Sequence, residues 1–253
     1  RQFVTNLYKY AISFSFENRF SFDKKNAQYL GKSIGETIPN ETKKIYLATD
    51  GILNNIPFES LMQVDNYFIE KYEFQYIFSA NILQNIEYKK VNNNKLLAIA
   101  PVFKDDPKKH LIKSEEEVDN VLKLIKGSSL LAEEAKTSNF IHKAKEFAII
   151  HISSHAQIDK KLQVASIDFF DKSLYFSQIE QEQFETELLV LSACETGIGK
   201  QEAGEGSLSL TKAFAYSKIP SIISSLWKVN EGSSLTIFNT FYQNIKAKKS
   251  ISN

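Results

Sequence analysis

The sequence is poor in cysteine, glycine and proline. Its single cysteine, Cys194, excludes a disulfide within the chain and favours a reducing, cytoplasmic location. Glycine and proline account for 9 and 5 of the 253 residues, and no long linker, repeat or low-complexity tract interrupts the chain. No apolar run approaches the ~20 residues that a transmembrane helix needs, so we predict no membrane partner.

The chain also lacks an excess of charge of either sign. Lys and Arg number 31 and Asp and Glu number 30, which leaves a net charge of +1. This balance gives no argument for direct contact with nucleic acid or with an anionic membrane. The first residues lack the apolar stretch of a signal peptide. Because the first residue is not Met, we expect the sequence to be a segment of a longer protein.

Short apolar runs alternate with segments of helical spacing. Buried strands are predicted at residues 45–48, 96–100, 129–132, 147–152, 188–191 and 219–226. Helices are predicted across residues 3–14, 27–34, 114–125, 137–144, 208–216 and 235–245. A pair of strands with a turn near Lys71 is predicted in residues 67–78, and a hairpin in residues 164–176. The alternation predicts an α/β fold with helices packed on a largely parallel sheet.

Polar residues at two predicted helix starts indicate how those helices begin. Ser114 and Glu117 have the spacing of a capping box, in which each side chain bonds the backbone at the other position. Thr137 is of the residue type that caps helix N-termini. We therefore expect Ser114 and Thr137 to cap the N-termini of the two helices that follow them.

Two of the predicted strands are followed by side chains capable of covalent catalysis. His155 follows the strand at 147–152, and Cys194 follows the strand at 188–191. If these strands are neighbours, both side chains project from one edge of the sheet. An imidazole beside a thiol generates the nucleophilic thiolate. The backbone N–H groups of Ala156 and Cys194 are then the predicted oxyanion hole.

Other interpretations of these residues were weighed against catalysis. His151 and His155 are four residues apart, a spacing that holds zinc on a helix, but here they lie on or near a strand without a further Cys or His nearby. His151 is interpreted as a bonded core residue, and no metal or cofactor is predicted. The glycine-containing segment 197–206 lacks the pattern of a phosphate-binding loop. Cys194 as a simple packing residue remains an alternative.

An ordered series of short motifs resembles the CHAT domain family. In chain order these are DGIL at 50–53, IPFESL at 56–61, FSA at 78–80, HISSH at 151–155, LSACETG at 191–197, GEG at 204–206, LTKAF at 210–214, SSLWKV at 224–229 and FY at 241–242. Each motif is weak alone, whereas their correct order from Ile45 to Tyr242 is specific. The family is similar to caspases, gingipains and separase.

The resemblance implies a fold and an activity. The fold is a caspase-like α/β/α sandwich in one CHAT peptidase domain over residues 1–253, with a non-catalytic half over about 1–130 and a catalytic half over 131–253. The activity is that of a cysteine endopeptidase that uses His155 and Cys194 to cleave a specific protein substrate. Such proteins resemble bacterial regulated proteases, including some that act in defence.

The resemblance also implies partners and a substrate subsite. We expect an activating protein or a TPR-type sensor region to control the enzyme. Asp50, Glu195 and Glu205 are candidate acidic residues for binding a basic substrate side chain. The alternative function is a catalytically silent scaffold that keeps the fold in order to bind a partner protein.

The sequence departs from the CHAT pattern in three places. Ala156 stands where the family usually has glycine, and it preserves the oxyanion hole provided that the position does not need a positive φ angle. The sequence ends at Asn253 without the family's closing aromatic motif. It also contains no TPR repeats.

Overall fold

The computed structural model describes most of the chain in two compact units. The residues described are 2, 5, 6, 23–49, 53, 54, 56–77, 95–104, 106, 109–159, 164–193, 201, 202, 206, 207, 209–225 and 231–249. Unit 1 comprises Arg1–Asn85 with Ser252–Asn253, and unit 2 comprises Ile86–Ile251. Of the helix predicted across residues 3–14, residues 5 and 6 are described and helical, and the rest lies outside the described residues.

Unit 1 contains a helix, four short strands and two short 3₁₀ helices among its described residues. These are α1 (Lys24–Gly35), β1 (Lys44–Leu47), β2 (Met62–Gln63), β3 (Asn66–Tyr67), β4 (Glu73–Tyr76) and the 3₁₀ helices Phe58–Ser60 and Phe68–Glu70. Strand β1 pairs with β4 in parallel, and β2 pairs with β3 antiparallel. The predictions of a helix at 27–34 and a strand at 45–48 are therefore confirmed to within a few residues.

Two strands with a turn at Lys71 are present near residues 67–78, as predicted, but they belong to different sheets. Strand β3 pairs with β2 and strand β4 pairs with β1, so the two do not form a hairpin with each other. The 3₁₀ helix between them buries Phe68, and Tyr72 is buried just after it. A helical turn brings side chains four residues apart onto one face, which lets both rings enter the core of this unit.

Unit 2 alternates strands and helices throughout its described residues. These are β5 (Leu96–Ala100), α2 (Ser114–Leu124), β6 (Gly127–Leu131), α3 (Thr137–Ala144), β7 (Ile149–Ser153), β8 (Ala156–Ile158), β9 (Ala165–Asp168), β10 (Ser173–Tyr175), α4 (Phe176–Ile179), β11 (Leu188–Ser192), β12 (Gln201–Glu202), β13 (Gly206–Ser207), α5 (Leu210–Tyr216), β14 (Ser221–Ser224) and α6 (Glu231–Lys246). A 3₁₀ helix, Ala132–Glu134, follows β6. None of the described helices is both long enough and apolar enough to cross a membrane.

The centre of unit 2 is a parallel sheet that is buried on both faces. Over the described residues it has five strands in the order β14-β11-β7-β5-β6. Alternate strand residues enter two separate cores, with Ile150 on one face and Ile149 on the other. Residues of α3, α4 and α5 belong to the first core, and residues of α2 and α6 belong to the second. This arrangement confirms the predicted α/β/α sandwich with a parallel central sheet.

Two smaller antiparallel sheets accompany the parallel one. One of them has the strand order β10-β9-β8, and its strand β8 begins three residues after the end of β7. The other consists of β12 and β13. The hairpin predicted in residues 164–176 is confirmed as β9 and β10. The predicted division between the two halves of the domain, near residue 130, falls within β6, and the functional meaning of that division stays a prediction.

Neither predicted cap is made by the residue that was expected to make it. The hydroxyl of Ser114 donates to the carbonyl of Leu111, and the side chain of Glu117 turns inward to the core, so the capping box does not form. Thr137 is the first residue of α3, and its N–H and hydroxyl both donate to the carboxylate of Asp171, at 2.8 and 2.6 Å. A residue 34 positions away in sequence therefore caps α3.

We expect the Asp171 cap to stabilise the protein fully above about pH 4 and progressively less as the pH falls below that value. Burial raises the pKa of Asp171, but the hydrogen bonds from Thr137 and the nearby charge of Lys172 outweigh it and hold the pKa below its ordinary value. A lowered pKa gives stability that is present above the unfolded-state pKa and is lost as the pH falls through the folded-state pKa. Asp171→Ala should cost about 1 kcal/mol at pH 7, measured by urea unfolding.

The same measurement at pH 3 and an asparagine variant provide the controls. The difference between wild type and Asp171→Ala should shrink at pH 3, because below about pH 4 the unfolded wild-type chain binds a proton at this carboxyl and the advantage of the ionised, bonded form decreases. Asp171→Asn keeps one acceptor oxygen and does not titrate, so its stability relative to Asp171→Ala should be independent of pH. A wild-type advantage of equal size at both pH values would contradict the proposed role of the charge.

Candidate active site

The strands that precede His155 and Cys194 are neighbours in the parallel sheet. Strand β7 pairs directly with β11, and Ser153 lies opposite Ser192 at the ends of the two strands. His155 and Cys194 each come two residues after this last pair in the sequence. Adjacent strands lie about 4.8 Å apart. The two chain segments thus leave the same edge of the sheet in matching register.

His155 is held through its ring by a main-chain carbonyl. Its Nε2 atom lies 2.7 Å from the carbonyl oxygen of Lys109, a residue of the loop between β5 and α2. The ring of Phe103, from the same loop, lies 6.2 Å from the imidazole between ring centroids. A carbonyl oxygen only accepts hydrogen bonds, so Nε2 carries a hydrogen, and in the neutral ring the basic lone pair is on Nδ1.

Ala156 occupies the first position of strand β8. Its partner is Ile167 on β9, while the adjacent pair of His155 and Asp168 is joined by a bond of 2.9 Å from the Asp168 N–H to the His155 carbonyl. Hydrogen-bonded and non-hydrogen-bonded pairs alternate along an antiparallel ladder, so the N–H of Ala156 points away from β9. Ala156 is not among the residues with positive φ. The position therefore does not require glycine, and the alanine keeps the N–H group that the oxyanion hole needs.

The remaining residues predicted for the site lie outside the described residues. These are Cys194, Asp50, Glu195 and Glu205. The described residue next to the predicted nucleophile is Ala193, whose carbonyl accepts a hydrogen bond of 2.8 Å from the hydroxyl of Ser225. Ser225 follows β14, so the end of β11 is bonded to the segment that follows its other neighbour in the sheet.

His151 is bonded in the core, as the sequence predicted. Its Nε2 lies 2.8 Å from Oε1 of Glu117 and its Nδ1 lies 3.0 Å from the hydroxyl of Tyr242. The His151 and Tyr242 side chains are fully buried, and the Glu117 side chain is nearly so. Both ring nitrogens therefore have protein partners. Over the part of the chain that the structure describes, no group of three or more His, Cys, Asp or Glu side chains is arranged to hold a metal ion.

Sequence reasoning missed two residues beside His155. Lys109 supplies the carbonyl to the imidazole, and its ammonium forms an ion pair of 3.0 Å with Asp168. The side chain of Asp168 is only 4% exposed. The sequence signal for this contact was Asp168, an acidic residue at the end of a short apolar strand. An unpaired carboxylate would be costly to bury there, so a cationic partner could have been expected.

A family model now connects this geometry to known proteins. The model of the CHAT domain matches residues 25–253, which is most of the chain. The chain belongs to the CHAT domain family. The resemblance that the motifs predicted is thereby confirmed. No curated protein matches the chain.

Membership of the CHAT family gives the sheet edge its chemical context. The family is one of caspase-like cysteine peptidases. In this CHAT domain, two adjacent parallel strands end two residues before a histidine and two residues before the single cysteine of the chain. The segments that follow the two strands are therefore the candidate active site of the CHAT domain.

Proposed function

We propose that this CHAT domain is a cysteine endopeptidase with Cys194 as nucleophile and His155 as its base. The observation that carries the proposal is the register of β7 and β11, which brings the two segments to one edge of the sheet in step. The bond from His155 Nε2 to the Lys109 carbonyl supports it, because this bond leaves Nδ1 as the basic atom of the imidazole.

The proposed reaction begins with proton transfer within the dyad. Nδ1 of His155 takes the proton of the Cys194 thiol, and the thiolate attacks the carbonyl carbon of the scissile peptide bond. The oxyanion of the tetrahedral intermediate accepts hydrogen bonds from the N–H groups of Ala156 and Cys194. The direction of the Ala156 N–H, away from β9, supports this role.

Collapse of the intermediate divides the substrate into two fragments. The carbon–nitrogen bond breaks, and the proton on His155 Nδ1 passes to the leaving amine. The Cys194 thioester then reacts with water, which gives its proton to the same Nδ1 atom. The carbon–sulfur bond breaks, the peptide acid is released, and Cys194 returns to its thiolate form.

In this reaction the Lys109 carbonyl takes the orienting role that a carboxylate has in a catalytic triad. It accepts the Nε2 hydrogen bond and so fixes the plane of the ring and its tautomer. As the imidazole becomes imidazolium, the same bond becomes charge-assisted and therefore stronger. Over the part of the chain that the structure describes, this main-chain carbonyl is the acceptor that orients the imidazole, and no acidic side chain bonds the ring.

The substrate and the controlling partner are proposals of wider scope. We propose a specific protein substrate and an activating protein or TPR-type sensor region, as the resemblance to regulated CHAT proteases implies. The roles of Asp50, Glu195 and Glu205 in binding a basic substrate side chain stay predictions. A bacterial source, a cytoplasmic location and a part in defence also stay predictions.

The test is cleavage of a diverse peptide library by wild type and by Cys194→Ala, with candidate activators supplied. We expect wild-type cleavage at a consistent residue type and none by the variant, because alanine has no nucleophile to form the thioester. Mass spectrometry of the products identifies the cleaved bond and hence the substrate preference.

Two further variants separate loss of chemistry from loss of fold. Cys194→Ser is nearly isosteric and should also lose most activity, since a hydroxyl is far less acidic than a thiol. Both variants should unfold at the same urea concentration as wild type. Equal cleavage by wild type and Cys194→Ala would refute the proposal. Silence from wild type with every activator would favour the scaffold function.

A further inference from the structure

The carbonyl that orients His155 belongs to a loop outside the regular secondary structure. Lys109 lies between β5 and α2, and its main-chain N–H bonds the carbonyl of Asp106 at 2.9 Å. Near the start of this loop, Val102 and Phe103 have φ angles of 64° and 47°. Such values are costly for residues with a Cβ and persist only where the surroundings enforce them. The position of the Lys109 carbonyl therefore depends on contacts made by the loop.

One of these contacts is the ion pair of Lys109, whose side chain is 46% exposed, with the buried Asp168. The ammonium lies 3.0 Å from Oδ2 of Asp168, and the carboxylate also accepts hydrogen bonds from Ser173 at 2.5 Å and from Gln157 at 3.4 Å. Burial of a carboxylate that is only 4% exposed costs free energy unless the carboxylate is paired. Separation of the Lys109 ammonium from Asp168 is therefore unfavourable.

Three other Lys–carboxylate pairs have more exposed carboxylates. The carboxylates that pair with Lys24, Lys104 and Lys145 are 77%, 44% and 27% exposed. Pairs that are exposed to solvent contribute little to stability, because water and salt screen them. Among these pairs, the one between Lys109 and Asp168 is the best suited to hold a loop in place.

Asp168 also contacts the main chain at His155. Its N–H donates to the His155 carbonyl at 2.9 Å, and its own carbonyl accepts from the hydroxyl of Ser154 at 2.5 Å. The contacts form a closed circuit from the imidazole to the Lys109 carbonyl, from the Lys109 ammonium to the Asp168 carboxylate, and from the Asp168 N–H back to His155. The ring of Phe103 lies beside this circuit, 5.4 Å from the ammonium and 6.2 Å from the imidazole.

We propose that Asp168 is a positioning residue for catalysis, which acts on His155 by holding Lys109 so that its carbonyl orients the imidazole. The proposal rests on the proposed peptidase function, because it assigns Asp168 a role in that same site. In this role Asp168 acts on the imidazole through Lys109 and does not itself take part in bond making or breaking. Its expected contribution is to the geometry of proton transfer and not to substrate binding.

The first test reads the hydrogen bond directly by NMR of protein labelled with ¹⁵N-histidine. The chain has four histidines, and a His155→Gln variant assigns the signal of His155. In wild type we expect a ring N–H of His155 that is shifted downfield and protected from solvent exchange by its bond to the Lys109 carbonyl. Asp168→Asn and Lys109→Met should each lose this signal, whereas Lys109→Arg should retain it.

The same spectra contain an internal control for folding. The ring N–H of His151 is bonded to Glu117 in the core and should remain in place in every variant. As a matched variant, Glu182→Gln removes the partly exposed ion pair with Lys145 and should leave the His155 signal unchanged. An unchanged His155 signal in both Asp168→Asn and Lys109→Met would overturn the proposal.

The second test is kinetic and uses a peptide that wild type cleaves. Asp168→Asn should lower kcat by about tenfold to a hundredfold with KM changed less than about twofold, because misplacement of a catalytic group affects the chemical step. Lys109→Arg should recover most of kcat. A fall in affinity alone would overturn the positioning role.

The two tests separate failure of this inference from failure of the proposed function. If no variant and no wild-type sample cleaves any peptide, but the His155 signal depends on Asp168, the positioning stands and the peptidase function fails. If wild type cleaves peptides, and neither the His155 NMR signal nor kcat changes in Asp168→Asn, the function stands and the positioning role is refuted.

Discussion

Replacing His155 with asparagine should raise the pH midpoint of Cys194 alkylation toward about 8.5, the pKa of an unassisted thiol. The imidazole stabilises the thiolate as an ion pair in the proposed dyad, and asparagine has no basic nitrogen with which to do so. At pH 7 an unassisted thiol is only a few per cent ionised. The rate of iodoacetamide labelling at that pH should therefore fall by roughly tenfold or more.

Peptide cleavage should respond more strongly than alkylation to the same change. Alkylation needs only the thiolate, whereas cleavage also needs the imidazolium to protonate the leaving amine. Loss of the base alone removes most of the catalysis in enzymes whose residues act as a unit, so we expect kcat/KM to fall by about 10⁴-fold or more.

A second histidine provides the matched control for this experiment. His142 lies on the exposed face of α3, and His142→Asn should change neither the alkylation profile nor the cleavage rate. The lone cysteine of the chain makes the alkylation readout specific to one site. An alkylation midpoint that is the same in wild type and in His155→Asn would show that His155 is not the base of Cys194.

The apolar pattern of the sequence was sufficient to predict the central sheet. Runs such as 96–100 and 188–191 are apolar at every position, which is typical of strands buried on both faces, and both form strands of the parallel sheet. The order of the strands could not be predicted in the same way. A run buried on two faces does not encode which strand is its neighbour, so the adjacency of β7 and β11 was an assumption until the structure confirmed it.

The group that orients His155 could not have been predicted from residue types. It is a main-chain carbonyl, which every residue has, and it is contributed by Lys109 from 46 positions earlier in the chain. The contact depends on how the loop after β5 folds back, and that depends in turn on the pairing of Lys109 with Asp168, 59 positions away. Contacts between distant residues of ordinary type leave no local pattern.

The failed capping box at Ser114 has a related cause. Ser114 and Glu117 match a local pattern, but that pattern describes the two residues without the rest of the protein. A Glu117 side chain in the box would be solvated and would leave the buried His151 ring without its partner. An unpaired polar group in the core costs more than a missing cap at a helix end, so the core contact wins.

The contact that displaced the capping box should be among the most sensitive in the protein. Glu117→Leu should lower the free energy of unfolding by about 3–5 kcal/mol, because it removes one partner of a buried polar pair and leaves the other behind. The carboxylate of Glu117 and the imidazole of His151 are 2.8 Å apart and nearly inaccessible to solvent. Total stabilities are usually about 5–15 kcal/mol, so urea unfolding will resolve the loss.

Graded variants test whether pairing or packing is responsible. Glu117→Gln keeps an acceptor for the His151 N–H and should lose less stability than Glu117→Leu.

The hydroxyl of Tyr242 is the other partner of the His151 ring. Burial and then the charge of Glu117 raise the pKa of Tyr242 well above its ordinary value, so its phenol stays protonated. Tyr242→Phe should therefore cost about 1–3 kcal/mol, because it leaves His151 Nδ1 unpaired. The double variant Glu117→Leu with His151→Leu should be more stable than the sum of its single changes predicts, because neither member of the Glu117–His151 pair is then left without the other, although the buried Tyr242 hydroxyl loses His151 Nδ1. Strictly additive losses would mean that the pair contributes by its volume alone. Coupled losses would establish that α2 and the strand leading to His155 are joined through this bond.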